Sequence, residues 1–539
     1  MLELRIRACH VHGRFVARNN VRPRFTLRDA VESPVRDAGR IVLPPASFLH
    51  EQEKIRTRWP RALQFIQEHR LNEWFSEDAQ DFGIILLGGL YNTTARTLEL
   101  LGLAGPFGDT QVPLYVLNVA YPLVVEEIVR FCADKRAVLL IEEGQPDFLE
   151  QNLHTILRKA GLETRVHGKD LLPMAGEYTA AVVIQGILRF VELYAPRLVR
   201  RERLPAAARP AAPKLPAIAA LDPQVHPRPP SFCTGCPERP IFTAMKLVER
   251  ELGSHHVSCD IGCHLFSILP PFNIGATTMG YGLGWAGAAA FHAPQAARRT
   301  ISFMGDGGFW HNGLTSGVGN AVFNQSDSVL VVVDNSYTAA TGGQDILSSA
   351  ALNPIRPTRQ SIADAVRGVG VKWVRTITRT YDLAAMRDVL REALTTDEEG
   401  PKVIVAQSEC MLNKQRRVEP QERQLRRAGK RVVRERFGVD ADTCTGDHSC
   451  IRLSGCPSLT IRPNPDPLRL DPVAAVIDSC VGCGLCGEVA HAAVLCPSFF
   501  RADVISNPSA WEVFLARVRG AVIGFLQRRI DRRIESLGV

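Results

Sequence analysis

Long apolar segments are missing from this sequence. Although 45% of its 539 residues are hydrophobic, they form no uninterrupted run of 18 or more. A helix that crosses a bilayer needs about 20 such residues, so we expect no transmembrane helix. The first 20 residues also lack a basic segment followed by an apolar core and a small-residue cleavage site, the pattern of a secretory signal peptide. The sequence therefore predicts a soluble, globular, cytoplasmic protein.

Aromatic side chains are absent from the most basic segment of the chain. The run from Lys414 to Arg436 holds ten Lys or Arg residues, and we predict a basic helix over 414–437. Proteins that bind single-stranded nucleic acids stack the bases on aromatic side chains, so this composition argues against a nucleic-acid partner. Two interpretations remain, a solvated helix face and a surface on which an acidic protein docks.

Proline and alanine divide the chain into two parts. Residues 204–230 are rich in both and predict an extended linker. Before the linker, amphipathic helical stretches alternate with the apolar runs FGIILLGG, VPLYVLNV and AVLLIEEG; after it come TISFMGDG, SVLVVVDN and PKVIVAQ. Short apolar runs separated by helices are typical of buried parallel strands. The sequence thus predicts two α/β domains, over 46–203 and 231–437.

Polar residues follow two of these apolar runs. The run Thr300–Phe303 leads into a Gly-Asp-Gly motif around Asp306, and the next run leads into Asn335. Neighbouring parallel strands would bring both side chains to one edge of a sheet, where α/β proteins bind ligands. Their oxygens suit Mg²⁺, and the glycines let a diphosphate approach the backbone; these are Gly305, Gly307 and Gly308. The alternative is an ordinary βα loop followed by an ordinary turn.

Most of the 14 cysteines lie in short-spaced groups between Cys233 and Cys496. In a cytosolic protein such grouping indicates metal ligation rather than disulfides. Cys480, Cys483 and Cys486 are separated by two residues each and are followed by Cys496-Pro497. This is the ligand pattern of a ferredoxin-type 4Fe–4S cluster. Zinc is the alternative, because it also favours paired cysteines.

A less regular group precedes these cysteines. Cys444, Cys450 and Cys456 are separated by five residues each, and Asp447 stands where a regular run would have its second cysteine. A carboxylate can bind iron in place of a thiolate. Crossed ligation, as in two-cluster ferredoxins, predicts one site formed by Cys444, Asp447, Cys450 and Cys496 and a second formed by Cys456, Cys480, Cys483 and Cys486. In the alternative, the first site binds a three-iron cluster or none.

Several segments together resemble one family. Residues 305–344 read GDGGFWHNGLTSGVGNAVFNQSDSVLVVVDNSYTAATGGQ, and SFCTGCPERP, CDIGC and the cysteine-rich tail lie around them. The first segment resembles the diphosphate-binding part of thiamine diphosphate enzymes. Over nearly its whole length, the chain is similar to the large (alpha) subunit of indolepyruvate ferredoxin oxidoreductase. This subunit belongs to the thiamine diphosphate-dependent 2-oxoacid:ferredoxin oxidoreductase family.

The resemblance implies the fold class. It is α/β, with two doubly wound parallel-sheet domains and a small α+β ferredoxin-like domain that carries 4Fe–4S clusters. The domains are a transketolase C-terminal-like domain (46–203), the thiamine diphosphate-binding domain with the basic helix (231–437) and the ferredoxin-like domain (438–503), before a C-terminal helix (504–539). Residues 1–45 resemble the end of the family's pyrimidine-binding domain and a connector. The rest of that domain, which carries the glutamate that activates thiamine, is expected to be missing.

The resemblance also implies roles for individual residues. Asp306, Asn335 and the carbonyl of Tyr337 would hold Mg²⁺, and His311 would lie close to the cofactor. A local hydrogen bond at the start of a helix is the alternative role for His311. A further cluster beside thiamine would be held by Cys233, Cys236, Cys263 and Cys410. In the alternative, the Cys-Thr-Gly-Cys run merely forms a tight turn before a helix, and Cys259 is expected to be a core thiol.

The activity implied by the resemblance is oxidative. The enzyme would decarboxylate an aryl 2-oxoacid such as indolepyruvate, transfer the acyl group to coenzyme A and pass the electrons through its clusters to ferredoxin. A small (beta) subunit would complete it, and a membrane or nucleic acid is not an expected partner. Three alternatives stay open: a non-catalytic iron–sulfur electron-transfer subunit, an inactive truncated fragment, and a zinc-stapled nucleic-acid binder.

Overall fold

The computed structural model describes residues 26–34, 36–75, 80–106, 109–199, 230–291, 298–349 and 358–536. The chain divides into two compact units, Met1–His226 and Pro227–Val539. Most of the expected connector (1–25 of 1–45) and of the expected linker (204–229 of 204–230) lies outside the described residues. Within the described ranges, no helix is long and apolar enough to cross a membrane.

The first unit is built on a five-stranded sheet. Its strands are β1 (Glu73–Phe75), β2 (Phe82–Leu87), β3 (Leu114–Leu117), β4 (Ala137–Ile141) and β5 (Arg165–His167). Their order is β1-β3-β2-β4-β5, with β1 antiparallel to β3 and the other pairs parallel. The three predicted apolar runs form the central strands β2, β3 and β4, which are buried over almost their whole length.

Helices precede this sheet, and others pack on its two faces. They are α1 (Leu27–Glu32), α2 (Ala46–Glu53), α3 (Trp59–Glu68), α4 (Tyr91–Leu100), α5 (Val125–Cys132), α6 (Phe148–Lys159) and α7 (Ala180–Tyr194), with π-helical Lys54–Arg58 between α2 and α3. Successive β2 residues face opposite sides, so Ile84 joins the core under α4 and α7, whereas Ile85 joins the core under α5 and α6. The unit is therefore doubly wound.

The second unit begins with a six-stranded parallel sheet. Its strands are β6 (Val257–Cys259), β7 (Thr277–Thr278), β8 (Ile301–Gly305), β9 (Val329–Asp334), β10 (Trp373–Ile377) and β11 (Lys402–Gln407). Their order is β10-β11-β9-β8-β6-β7, and every pair is parallel. The predicted runs form β8, β9 and β11, and separate cores cover the two faces. This sheet is also doubly wound, as predicted.

Helices again surround the sheet. They are α8 (Arg239–Leu252), α9 (Gly284–Ala289), α10 (Asp306–Gly308, continued by π-helical Phe309–Gly319 and by Asn320–Phe323), α11 (Ile362–Val369), α12 (Leu383–Thr395) and α13 (Met411–Arg427). α10 begins at the first residue after β8, so its N-terminus lies at the carboxyl edge of the sheet. Two short 3₁₀ segments, Cys263–Ile268 and Ala339–Thr341, lie beside the same edge.

The basic segment is helical only in its first part. α13 ends at Arg427 and a strand begins at Val432, so the helix predicted over 414–437 is wrong beyond residue 427. Gly429 has a φ of 69°, a left-handed conformation that commonly ends helices. The β-branched pair Val432 and Val433 then favours a strand.

The region after α13 is a small α+β unit. It contains β12 (Val432–Val439), α14 (Ser449–Ser454), β13 (Leu459–Arg462), β14 (Val473–Val476), α15 (Leu485–Val494) and β15 (Phe499–Ser506). β12 pairs antiparallel with β15, and β13 pairs antiparallel with β14. The domain boundary predicted at residue 437 falls inside β12, so the small unit begins before Val432. The last helix, α16 (Ala510–Ser536), starts later than the predicted 504, because β15 occupies the residues up to Ser506.

Candidate functional site

The carboxyl ends of β8 and β9 meet at one edge of the second sheet. The strands pair in parallel with Gly305 opposite Val333, as the sequence predicted. Asp306, the next residue, is almost completely buried. Its Oδ1 accepts a hydrogen bond from the N–H of Gly307 (2.8 Å), and its Oδ2 accepts one from the N–H of Asn335 (2.8 Å). The structure thus brings Asp306 and Asn335 together.

A second buried carboxyl at this edge escaped the sequence reasoning. Asp334 lies against Asp306, and its Oδ2 accepts a hydrogen bond from Nε2 of Gln407 (3.0 Å). Its Oδ1 has no hydrogen-bond partner among the described residues. Burial and the nearby Asp334 carboxylate raise the pKa of Asp306 well above its usual range, and burial raises the pKa of Asp334. A divalent cation would offset this concentration of negative charge.

Two glycines allow other groups to approach the start of α10. A Cβ atom on Gly307 would lie 2.5 Å from both the hydroxyl of Tyr281 and Oγ1 of Thr338. A Cβ atom on Gly308 would lie 2.4 Å from Oδ2 of Asp260. Both distances are shorter than any real Cβ contact, so the motif needs glycine at these positions. The backbone N–H groups of the first helical turn stay accessible to an anion.

Asp260, which follows β6, fixes the loop opposite the Gly-Asp-Gly motif. It is fully buried, and its carboxylate accepts hydrogen bonds from the N–H groups of Ile261 (2.7 Å) and Gly282 (2.9 Å to each oxygen). Burial raises the pKa of Asp260 to about 6, although these hydrogen bonds lower it. Sequence reasoning missed Asp260, because the cysteines that flank it in CDIGC carry the stronger signal.

His311 lies at the exposed rim of this site. Its ring is tilted by 43° against that of Tyr281, with 5.1 Å between the ring centroids. It also lies near Asp260, whose carboxyl pKa it lowers. The structure therefore brings His311 next to the loop fixed by Asp260, on the turn of α10 that follows the glycines.

A cavity opens at this edge of the sheet. Among the residues that line it are Asp306, Asn335 and Tyr337, together with Gly305, Gly307 and Gly308. Tyr337 follows Ser336, whose φ of 70° turns the chain sharply, and its N–H donates to Oδ1 of Asn335 (3.3 Å). Buried oxygen donors, a glycine backbone and a helix N-terminus fit a diphosphate bound through Mg²⁺.

A second cavity adjoins the first and is lined by four cysteines, here called the pocket cysteines: Cys233, Cys236, Cys263 and Cys410. The two cavities share Glu238, Cys263 and Asn335 as lining residues. Burial, together with the nearby cysteines, raises the pKa values of Cys263 and Cys410. The four cysteines come from three separate segments of the sequence, and the fold gathers them around one cavity.

The Cys-Thr-Gly-Cys run also forms the tight turn of the alternative interpretation. The N–H of Cys236 donates to the carbonyl of Cys233 (3.1 Å), and α8 begins at Arg239. The turn and the pocket are compatible, because the turn directs both cysteines toward one cavity. Cys259 is a buried core thiol, as expected, with its Sγ 3.2 Å from Oγ of Ser267.

The tail cysteines form two groups with crossed sequence order. Burial raises the pKa of Cys450 to about 11; the backbone N–H of Ile451 lowers it, and the side chains of Cys444, Cys496 and Asp447 raise it further. Burial likewise raises the pKa of Cys486, and its cysteine neighbours are Cys456, Cys483 and Cys480. We call these sets the first tail group (Cys444, Asp447, Cys450 and Cys496) and the second tail group (Cys456, Cys480, Cys483 and Cys486). These are the two ligand sets predicted from the sequence, and their assignment to separate clusters stays a prediction.

Asp447 is engaged within its own loop. Its Oδ1 accepts a hydrogen bond from Oγ1 of Thr445 (2.9 Å), and its Oδ2 accepts bonds from the N–H (3.0 Å) and the hydroxyl of Ser449. These bonds lower its carboxyl pKa despite partial burial, so it remains an anion beside Cys450. In the second tail group, the N–H of Gly482 points at Sγ of Cys480 (3.4 Å).

No three His, Cys, Asp or Glu side chains in the described ranges are arranged to hold a single metal ion. A cubane cluster holds its cysteines farther apart, because each sulfur binds a different iron.

Three buried polar residues near the pocket cysteines were not anticipated. Glu238 is 2% exposed, and burial raises its pKa to about 8. His264 is 1% exposed, and burial lowers its pKa to about 4. Arg239 is fully buried. The sequence gives no sign that these residues are buried, because charged side chains are mostly exposed in folded proteins.

Comparison with known families places the first cavity in a recognised domain. The family model described as "Thiamine pyrophosphate enzyme, C-terminal TPP binding domain" matches residues 260–406. This range runs from Asp260 to Ala406, one residue before the end of β11, and includes Asp306, Asn335 and Tyr337.

The chain is also similar to curated proteins along most of its length. It is 28% identical over 484 residues to the indolepyruvate oxidoreductase subunit IorA of Thermococcus kodakarensis, covering 86% of this chain and 69% of the relative. It is 32% identical over 426 residues to IorA of Archaeoglobus fulgidus, covering 77% of this chain and 60% of the relative. The chain therefore spans about 60 to 69% of the length of these relatives.

Among solved structures, a 2-oxoglutarate:ferredoxin oxidoreductase from Magnetococcus marinus, with 2-oxoglutarate, coenzyme A and succinyl-CoA bound, is 18% identical. The match covers 34% of this chain and 66% of that one, with a TM-score of 0.30. The chain therefore carries a match to a thiamine pyrophosphate-binding domain over residues 260–406, and it is similar along most of its length to indolepyruvate oxidoreductase subunits IorA.

Proposed function

We propose that this chain is the large subunit of an enzyme that oxidatively decarboxylates aryl 2-oxoacids such as indolepyruvate to acyl-CoA. Ferredoxin is the electron acceptor, coenzyme A is the acyl acceptor, and a small (beta) subunit completes the enzyme. One observation carries the proposal: the cavity of the pocket cysteines shares Glu238, Cys263 and Asn335 with the diphosphate cavity. Such adjacency suits a reaction in which electrons leave the substrate beside the cofactor.

The diphosphate cavity supplies the residues that would hold Mg²⁺ and the cofactor. Asp306, Asn335 and the carbonyl of Tyr337 are the proposed Mg²⁺ ligands, and the orphan oxygen of Asp334 supports a cation here. Gly305, Gly307 and Gly308 keep the backbone clear for the diphosphate. His311, at the rim, is the proposed side chain nearest the reacting end. Bound thiamine diphosphate supplies the electron sink for decarboxylation.

Three sets of residues are the proposed ligands of iron–sulfur clusters. They are the pocket cysteines, the first tail group with Asp447, and the second tail group. The shared cavity of the pocket cysteines supports this assignment, and so does the electrostatic proximity of the cysteines within each tail group. The basic helix α13 is the proposed docking surface for an acidic ferredoxin, because opposite charges accelerate association.

The cofactor assignment is tested by binding. The full chain, prepared anaerobically with and without the small subunit, is titrated with thiamine diphosphate in the presence of Mg²⁺ in a calorimeter. We expect Mg²⁺-dependent binding that weakens at least about 10- to 100-fold in Asp306→Asn, the loss typical of altered metal sites. Asp364→Asn, an exposed carboxylate on α11, should bind as the wild type does.

The same preparation separates the alternatives. Iron with acid-labile sulfide supports the clusters, whereas zinc alone would support a stapled structural protein. Clusters without thiamine diphosphate binding, even with the small subunit, would make the chain an electron-transfer subunit and contradict the proposed catalysis.

A further inference from the structure

Arg239 is the most deeply buried cation near the cysteine groups. It is the first residue of α8, three residues after Cys236, and its side chain is 0% exposed. Its Nη1 donates to the carbonyl of Ser454 (3.1 Å), at the end of α14. Within the described residues, Nε and Nη2 have no hydrogen-bond partner. A buried guanidinium with two unused donor atoms is costly unless an anion lies close to it.

The loops around Arg239 join two cysteine groups. Oγ1 of Thr234, inside the Cys-Thr-Gly-Cys turn, lies 3.2 Å from Oγ of Ser458. Oγ of Ser458 lies 2.7 Å from Oγ of Ser479, the residue before Cys480. The turn that carries two pocket cysteines is therefore hydrogen-bonded to the loops that carry the second tail group.

Packing at the same place is tight. A Cβ atom on Gly235 would lie 2.4 Å from Cγ2 of Val481 and 2.9 Å from Cγ of Met411. Val481 follows Cys480, and Met411 follows Cys410, so three cysteine-bearing segments meet at Gly235. The hydroxyl of Tyr381 donates to the carbonyl of Gly235 and closes this contact. Little space remains between the pocket cysteines and the second tail group.

The charge of Arg239 reaches both groups. Burial lowers the pKa of Arg239, but Cys456 and Cys483 of the second tail group and Cys236 of the pocket cysteines raise it, and the net change is upward. Reciprocally, Arg239 lowers the pKa of Cys483 against the larger effect of burial. The guanidinium therefore remains charged, and it lies within electrostatic range of cysteine side chains from both groups.

We propose that Arg239 is an electrostatic positioning residue between a cluster on the pocket cysteines and a cluster on the second tail group. This inference rests on the proposed function, which assigns clusters to both sets. A cluster held by four thiolates is anionic and gains further negative charge on reduction, and neighbouring charge and hydrogen bonds set its potential. A fixed positive charge favours the reduced forms of both clusters.

The electron transfer is balanced without any proton movement. One electron leaves the pocket cluster, which is oxidised by one unit, and enters the tail cluster, which is reduced by one unit. Arg239 keeps its proton throughout. The electron comes originally from the 2-oxoacid and goes finally to ferredoxin, the donor and acceptor of the proposed reaction.

The test measures the midpoint potentials of the iron–sulfur clusters in the wild-type full chain and compares them with those in three variants, Arg239→Met, Arg239→Gln and Arg239→Lys. Each protein is assayed for iron and acid-labile sulfide and is titrated anaerobically with dithionite while the electron paramagnetic resonance signals of the clusters are recorded. We expect clearly more negative potentials for two clusters in the neutral variants, and potentials near wild type in Arg239→Lys. Arg299→Gln is the matched control, because Arg299 pairs with Asp327 near the opposite end of β8.

Each outcome decides between charge and shape. Unchanged potentials in cluster-loaded neutral variants would overturn the inference while leaving the proposed function intact. Loss of iron from the neutral variants but not from Arg239→Lys would support it, whereas loss from all three would overturn it, because guanidinium shape would then matter instead of charge. A wild-type chain without iron and sulfide would overturn the cluster assignment, and this inference with it.

Discussion

Three buried carboxyls, Asp260, Asp306 and Asp334, lie at the carboxyl ends of the strands that end at the diphosphate cavity, and their hydrogen bonds explain how the chain tolerates them. Asp260 and Asp306 each accept hydrogen bonds from backbone N–H groups, which partly replace the water that burial removes. Asp334 keeps one oxygen without a partner among the described residues. The negative charge of the site is therefore not fully compensated, and a divalent cation would neutralise it.

Asp260 should make the free energy of unfolding depend on pH. Its pKa rises from 3.8 to about 6 on folding, so the native state keeps a proton that the unfolded state releases. Its contribution to stability consequently falls as the pH rises from about 4 to 6, and it stays lost above that window. In the wild type this dependence amounts to about 2–3 kcal/mol across the window, and Asp260→Asn should abolish it.

Urea unfolding between pH 4 and pH 7, without added Mg²⁺ or thiamine diphosphate, measures this effect. Asp364→Asn serves as the exposed control. If Asp260→Asn and the wild type showed parallel pH profiles, burial would not govern the titration of Asp260.

The residues of the diphosphate site differ in how well they could be predicted from the sequence. Asp306 and Asn335 could be predicted to lie together, because each follows an apolar run that folds as a parallel strand. Asp334 could not, since it reads as the last residue of such a run. Arg239 was missed for a different reason: its burial depends on α14 and the cysteine loops, which are distant in sequence.

At the scale of helices and strands, the apolar runs predicted the two large sheets well. The charged residues after α13 led to a wrong prediction, a helix where β12 lies. The central strands of both sheets are buried on both faces, so each forms a continuous apolar run. β12 has the sequence VVRERFGV, and its charged residues continue the pattern of α13. Only its pairing with β15 makes it a strand.

Two glycines near this junction should respond differently to alanine. Gly429 has a φ of 69°, and a Cβ atom added to it would meet nothing within 4 Å, so Gly429→Ala should cost only the left-handed strain, about 1 kcal/mol. Gly482 has a φ of 73°, and its Cβ would lie 2.5 Å from the carbonyl oxygen of Glu435, a backbone atom. Gly482→Ala should therefore cost more and displace the loop of the second tail group.

Chemical denaturation gives the stability of each variant, and iron analysis gives its cluster content. We expect Gly429→Ala to keep wild-type iron and Gly482→Ala to lose part of it. Equal iron loss in both would mean that strain at the junction, rather than the contact with Glu435, disturbs the clusters.

At the scale of the whole molecule, the candidate chemistry is confined to one unit. The first unit has two hydrophobic cores of its own, and the second contains the diphosphate cavity and all three cysteine groups. Separate cores predict separate unfolding transitions. The sequence revealed this division through the composition of 204–230, without showing how the units are arranged.

Calorimetry should resolve the two units. We expect two transitions, of which only one moves to higher temperature when Mg²⁺ and thiamine diphosphate are added. At a ligand concentration about 100 times the dissociation constant, the gain should be about 2.7 kcal/mol. A shift of both transitions together would contradict the assignment of the cofactor to the second unit alone.

The proposed function requires a thiamine diphosphate site and iron–sulfur clusters to operate together in this chain. Electron paramagnetic resonance of the anaerobic chain with its small subunit, after addition of indolepyruvate and coenzyme A, tests it most directly. We expect signals of reduced clusters that require both Mg²⁺ and thiamine diphosphate and that are absent from Asp306→Asn. Clusters that dithionite reduces but indolepyruvate never does, with both cofactors bound, would contradict it.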